Sequence, residues 1–328
     1  MDTAFRSILK DEIESFIEFI KLDCQSITVK AYRRTLSGFD SFLQMERFSE
    51  KRLDAHYVKL WLDGFHIHNL TKQGKLSHLR RFARYLSTLG IPASLPELPR
   101  ETTSFMPYIF NDDEMVRIFE AVDDLILGSP TSKRAAELPI LIRMLYGCGF
   151  RLGEAISLTW NDVDLSTGVV TVRAAKNQKQ RIVPMCDELT RILKLYREAP
   201  CFEMNDDGLL FGNSIGQPRN NRSYWHIFDG ILCDLGIKNP ETAKYGSRGP
   251  CIHSLRHTFT LNSLLKSESE GRGFMESVPF LSTYLGHAGL METDKYLKAR
   301  HEMYIEAHKM IEDYTHDVFP EDVFPEDM

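Results

Sequence analysis

The sequence predicts a mainly α-helical protein of two domains with one small antiparallel β-sheet. Three observations carry that prediction. Residues 5–90 hold four stretches in which apolar side chains recur at helical spacing. A proline-rich run, Ile91-Pro-Ala-Ser-Leu-Pro-Glu-Leu-Pro-Arg, follows them and reads as a linker. Beyond it only two short β-branched runs, Val169-Val-Thr-Val-Arg and Arg181-Ile-Val-Pro, break a helical pattern. At 328 residues and 43% hydrophobic content, the chain is long enough to bury two cores.

The first helix is expected over Phe5–Leu22, with Phe5, Ile8, Leu9, Ile13, Phe16, Ile17 and Ile20 on one face. A second opens at Ser26 or Thr28 as N-cap and sets Tyr32, Leu36, Phe39 and Leu43 inward. A third spans about 54–65. The fourth runs from Thr71 to Leu89, closed by Gly90 and Pro92; Leu76, Leu79, Phe82, Ala83 and Leu86 point inward, leaving Lys72, Lys75, Arg80, Arg81 and Arg84 outside. These boundaries give a helical domain over 1–90, a linker over 91–108 and a second domain over 109–314. Asn111-Asp-Asp-Glu starts the second domain as a helix N-terminus. Helices are expected near 141–148, 152–158, 187–198, 221–235, 253–266 and 278–286, with the two strands between the second and third. Residues 315–328 repeat Asp-Val-Phe-Pro-Glu from Asp317 and again from Asp322; proline and like charge oppose a helix there, so an acidic disordered tail is expected.

Composition excludes several classes. No apolar run approaches the roughly 18 residues of a membrane span, and the N-terminus lacks the basic-then-apolar pattern of a signal peptide. Six cysteines occur without a C-x-x-C pair, so neither a disulfide framework nor a zinc site is expected and the chain reads as cytoplasmic. The net charge of −6 is unevenly spread: residues 1–99 carry 15 basic and 12 acidic side chains, residues 257–328 carry 6 and 14. The first part can therefore still present a basic face to phosphates.

Scattered along the second domain are residue types suited to one reaction. Gly147-Cys-Gly-Phe-Arg-Leu-Gly-Glu154, His253-Ser-Leu-Arg-His-Thr258 and Leu285-Gly-His287 are followed, nine positions after His287, by Tyr296. Between the strands lies the basic turn Ala175-Lys-Asn-Gln-Lys-Gln180. Attack on a phosphodiester builds charge on the non-bridging oxygens, and guanidinium groups bind two such oxygens at once. Arg151 and Arg256 fit that role, each worth roughly 3–4 kcal/mol by analogy with a lost oxyanion donor. His253 lies three residues before Arg256, one helical turn away, placed to bond a phosphate oxygen or exchange a proton. His287 supplies a second imidazole. A tyrosine hydroxyl, with a pKa near 10, needs neighbouring cations to attack, and Lys176 is suited to protonate the leaving sugar oxygen. No metal, ATP or other cofactor is called for, and no phosphate-cradling glycine loop is present. Each segment alone has a plainer explanation: a helix-surface Arg, a surface His–Arg pair, a glycine-stopped helix, a packing tyrosine. Their joint order is what packing does not require.

These residues resemble the tyrosine recombinase (phage-integrase) family over roughly residues 110–300. By that resemblance Arg151 is the first catalytic arginine and Glu154 the acidic residue supporting it. Lys176 matches the β-hairpin lysine, His253 and Arg256 the HxxR box, His287 the next position and Tyr296 the nucleophile. The resemblance implies an N-terminal core-binding (SAM-like) helical domain that grips duplex DNA; Lys72, Lys75, Arg80, Arg81 and Arg84, with Arg33, are the candidate phosphate contacts. It further implies a site-specific recombinase that cuts and rejoins double-stranded DNA through a 3′-phosphotyrosine. Such enzymes work as homo- or hetero-tetramers on paired sites, with accessory recombination proteins as further partners and a cytoplasmic, nucleoid-associated location. Helices beginning near residue 5 leave no room for an additional arm-binding domain, and a mobile-element recombinase is favoured over a two-site integrase. Two alternatives stay open: a type IB topoisomerase-like activity on the same residues, or a DNA-binding regulator with a decayed site. Two departures are evident. The stretch Lys266–Ser277 lengthens the gap between Arg256 and His287 and reads as an acidic surface loop or a partner contact, and the hairpin has Ala-Lys-Asn where the family has Gly-Lys-Gly.

Overall fold

The computed structural model describes residues 4–66, 69–98, 106–128, 133–173, 180–198, 208–212, 220–239 and 249–286. Lys176, His287, Tyr296 and the acidic repeat lie outside the described residues. The chain divides into two compact units, Met1–Ser104 and Phe105–Met328.

The first unit is a four-helix domain: α1 (Lys10–Lys21), α2 (Ser26–Met45), α3 (Ala55–Asp63) and α4 (Asn69–Thr88). Helix α1 starts five residues later than its apolar spacing suggests. Asp40, buried on α2, accepts hydrogen bonds from the Arg6 and Ser7 amides at 3.0 and 2.9 Å, and the Ser7 hydroxyl accepts from the Leu9 amide. Side-chain acceptors that take backbone donors compete with the helix. Neither Ser26 nor Thr28 caps α2: its N-cap is Gln25, with no side-chain cap bond. Asp54 does cap α3, accepting from the His56 amide at 2.8 Å. The core takes Leu9, Ile13, Phe16, Ile17 and Ile20 from the first turn and α1, Leu36, Phe39 and Leu43 from α2, and Leu76, Leu79, Phe82 and Leu86 from α4. Ile8 stays exposed. Part of the proline-rich run belongs to this unit. The Leu53 amide bonds Pro92 O, the Ser94 amide bonds Leu53 O, and Ile91, Ala93, Leu95 and Leu98 pack on the core.

The second unit contains α5 (Asp112–Gly128), α6 (Lys133–Cys148) and the single turn α7 (Leu152–Ala155). A three-stranded sheet follows: β1 (Val163–Asp164), β2 (Val169–Val172) and β3 (Arg181–Pro184). After it come α8 (Asp187–Glu198), α9 (Asn221–Asp234), α10 (Ile252–Ser269) and α11 (Phe274–Leu285). Asn111 and Glu114 form a reciprocal capping box at the start of α5, with bonds of 2.8 and 3.0 Å. Helix α6 begins well before Leu141 because it tolerates Pro139 in its interior; Arg143, one turn on, reaches back to Pro139 O and grips Asp123 of α5 with both terminal nitrogens at 2.7 Å. The strands are antiparallel in the order β1-β2-β3, with Val170 opposite both Val163 and Val183, and these valines turn into the core. Helix α10 is buried along much of its length, and its Thr258 hydroxyl accepts from the Phe110 amide at 2.9 Å. The stretch read as a long acidic loop is mostly helical: α10 continues to Ser269 and α11 starts at Phe274, leaving four connecting residues. Ser267 and Ser277 bond across the turn at 2.6 Å. Among the described residues no helix is long and apolar enough to cross a membrane.

Candidate active site

Gly149 ends α6. Its amide bonds Leu145 O and its φ is +64°, in the left-handed region. A Cβ here would stand 2.4 Å from the Phe259 ring, so only glycine lets the chain turn this close to α10. The turn delivers Arg151 as the N-cap of α7, and Glu154 bonds the Arg151 amide through Oε2 at 3.0 Å. Glu154 is only 6% exposed. Its Oε1 accepts from Arg151 Nη1 at 2.9 Å, and Arg181 of β3 forks both oxygens, at 3.1 Å to Oε1 and 2.6 Å to Oε2. Arg256 Nη1 lies 3.9 Å from Oε2. Among the described residues, three guanidiniums thus gather around this one buried carboxylate.

Backbone carbonyls hold the same arginines from the other side. Arg256, 2% exposed, donates to Gly149 O at 2.6 Å and to Leu285 O at 2.8 Å. Arg151 donates to Leu285 O at 3.4 Å and to Gly286 O at 3.1 Å. Both carbonyls belong to the C-terminal end of α11, where the helix dipole favours cations. Gly286 closes α11 with φ +65°, and a Cβ on it would stand 3.2 Å from Arg181 Nη1.

Burial alone would raise the Glu154 carboxyl, but the Arg181 bonds, the Arg151 amide and the Arg151 side chain outweigh it and hold it below the ordinary value. Tyr284, on the last turn of α11, stacks on Phe259 with centroids 5.7 Å apart. Burial pushes its hydroxyl well up; Cys148 adds to that, and Arg181 and Arg256 offset only part. The Cys148 thiol is itself pushed up to about 12, first by burial.

The structure therefore brings together Arg151, Glu154 and Arg256. His253 is exposed one turn before Arg256 on α10, edge-to-face with His257 at 4.6 Å. The residue that the spacing argument did not select is Arg181. Its signal in the sequence was a cation opening a β-branched run directly after the basic turn, which reads as an ordinary strand end until the fold turns it inward. In the first unit, Arg80 and Arg84 are exposed on α4. The others expected outside are engaged. Lys72 is 14% exposed and 3.8 Å from Asp63, and Lys75 lies over the Trp61 and Phe65 rings. Arg81 bonds Asp23 and Cys24 and covers Tyr32, while Arg33 lies over Phe5.

A helical domain with a small sheet that gathers guanidiniums around a buried glutamate defines a class, and the comparisons agree with it. The phage integrase family model matches residues 109–303, and the chain belongs to that family, the tyrosine recombinases. It is similar to tyrosine recombinase XerD of Oceanobacillus iheyensis, 27% identical over 307 residues that cover 88% of this chain and 94% of the relative. Tyrosine recombinase XerC of Staphylococcus aureus is 26% identical over 309 residues, covering 90% and 95%. Among solved structures, the Tn1549 transposon integrase in complex with circular intermediate DNA superposes with a TM-score of 0.64 at 16% identity, over 91% of this chain and 99% of that one. That likeness is one of fold.

Proposed function

We propose that this protein is a site-specific DNA recombinase that cuts and rejoins duplex DNA through a 3′-phosphotyrosine at Tyr296. The observation that carries the proposal is the pair Arg151 and Arg256, anchored on the carbonyl end of α11 and set against the buried carboxylate of Glu154. Two guanidiniums fixed before substrate arrives need no reorganisation when charge develops on the phosphate. Arg151 and Arg256 bind the non-bridging oxygens, with His287 as a further donor. His253 assists proton transfer to or from the tyrosine, Lys176 protonates the leaving 5′-oxygen, and Glu154 supports the arginines. No metal or ATP takes part. Two such proteins on each of two paired sites would make the tetramer that exchange requires, and a mobile-element setting fits best. Exposed Arg80 and Arg84 contact phosphates and position the duplex.

The test is covalent trapping on a suicide duplex, nicked so that the cleaved fragment diffuses away, using sequences that flank the gene. Wild type should form a denaturation-resistant adduct that Tyr296→Phe does not. An adduct that persists in Tyr296→Phe removes that tyrosine as nucleophile and turns attention to Tyr304.

A further inference from the structure

Arg181 has no part in the reaction as proposed, yet among the described side chains it makes the closest approach to Glu154, through a two-bond fork. We infer that Arg181 is a positioning residue for strand cleavage: its two-bond fork orients Glu154 so that Glu154 holds Arg151 in place. The inference rests on the recombinase reading above and adds a residue to it. Four features support it. The Arg181 side chain is 10% exposed although it opens a strand, so it is directed inward rather than to solvent. Its target carboxylate also bonds the backbone amide and side chain of Arg151, so a shift of the carboxylate moves both. Gly286 leaves room for the Arg181 guanidinium against the end of α11, where Arg151 is anchored. Finally, Arg181 stands five positions after Lys176, so the strand leaving the basic turn is tied to the phosphate-binding arginine.

Among the described residues, the charged and titratable groups facing this point are Arg151 at the N-cap of α7, Arg181 from β3, Arg256 from α10, Tyr284 from α11 and Cys148 from α6. Arg181 contributes two of the direct bonds to the carboxylate. Without its fork, less opposes the effect of burial, and Glu154 takes up a proton at a higher pH than in wild type. A protonated Glu154 no longer attracts Arg151 as an ion pair, so cleavage should acquire a new loss on the acid side.

The experiment compares Arg181→Lys and Arg181→Ala with wild type on a trapping duplex, in single-turnover cleavage from pH 5.5 to 8 alongside duplex binding. Lysine keeps the charge but cannot fork both oxygens. Arg181→Lys should bind duplex within a few-fold of wild type and cleave about 10- to 100-fold more slowly, by analogy with the loss of a group that orients a metal ligand. The deficit should widen as pH falls; any other titrating group is common to both proteins, so the ratio isolates Glu154. Added guanidinium should restore part of the rate to Arg181→Ala. Without DNA, the ¹³C carboxyl resonance of Glu154 should titrate at higher pH in Arg181→Lys than in wild type. If wild type forms no adduct, the recombinase reading fails, and this resonance still decides the role of Arg181. A pH-independent rate ratio near one, an unmoved Glu154 titration, or two variants that fail to fold would each overturn the inference, the last by making Arg181 purely structural.

Discussion

Replacing Gly149 by alanine tests how tightly the site depends on one backbone turn. Two costs add. An L-residue held in the left-handed region loses about 1–2 kcal/mol. The new methyl would also meet Phe259 Cδ1 at 2.4 Å and Cε1 at 2.7 Å, and that ring cannot swing freely because it stacks on Tyr284. Forcing a core side chain aside costs about 1–3 kcal/mol. Gly149→Ala should therefore lose about 2–5 kcal/mol, a large share of the roughly 5–15 kcal/mol that holds a domain folded. Urea unfolding of the whole chain, with the slope checked for constancy, measures this directly. Because Gly149 O accepts the 2.6 Å bond from Arg256, adduct formation should fall further than duplex binding does. A loss under about 1 kcal/mol with normal cleavage would refute the reasoning, since neither the positive φ nor the approach of α10 would then constrain the turn.

Tyr284→Phe should leave trapping within a few-fold of wild type, since burial keeps that hydroxyl protonated despite the neighbouring guanidiniums; loss of the adduct would make Tyr284 a reacting group. Arg80→Ala and Arg84→Ala should each reduce the slope of log binding constant against log salt by about 1. Arg81→Ala should change it less, because that guanidinium is already bonded to Asp23, and equal slopes for all three would contradict this ranking. The Glu154 carboxyl titrates below its usual 4.5, so its contribution to stability is complete above pH 4.5 and is lost as pH falls through the lower folded value. Glu154→Gln should cost about 3 kcal/mol at pH 7 by removing the carboxylate that pairs with buried guanidiniums, and its gap to wild type, followed by urea unfolding, should close in acid.

The helices of the first unit were legible because apolar spacing is local information. Leu76, Leu79, Phe82 and Leu86 are buried as their period requires, and β3 occupies Arg181–Pro184 as its branched run suggests. What the sequence hid was decided by partners far along the chain. The late start of α1 is owed to Asp40, more than thirty residues away. Helix α6 keeps Pro139 inside it, where local propensity argues for a break. Lys72 and Lys75 read as outward cations on a helical wheel, but Asp63 and Trp61 of α3 and Phe65 just after it claim them. In the candidate site Arg151, Glu154 and Arg256 could be picked out by their spacing and order. Arg181 could not, because its meaning comes only from the carboxylate it meets.

The bonds from Arg151 to Leu285 and Gly286 span 134 and 135 residues of chain. Local helices form early in folding, whereas contacts of such separation wait for loop closure and for the distant segment to exist. During synthesis from the N-terminus, the first unit can fold while the carbonyls that anchor both arginines have yet to be made. Ribosome-bound chains shorter than about 286 residues therefore lack the anchors of a fixed arginine pair, and the same holds for any proteolytic fragment that has lost the end of α11. Competence to break DNA is thus a late event in the life of each molecule.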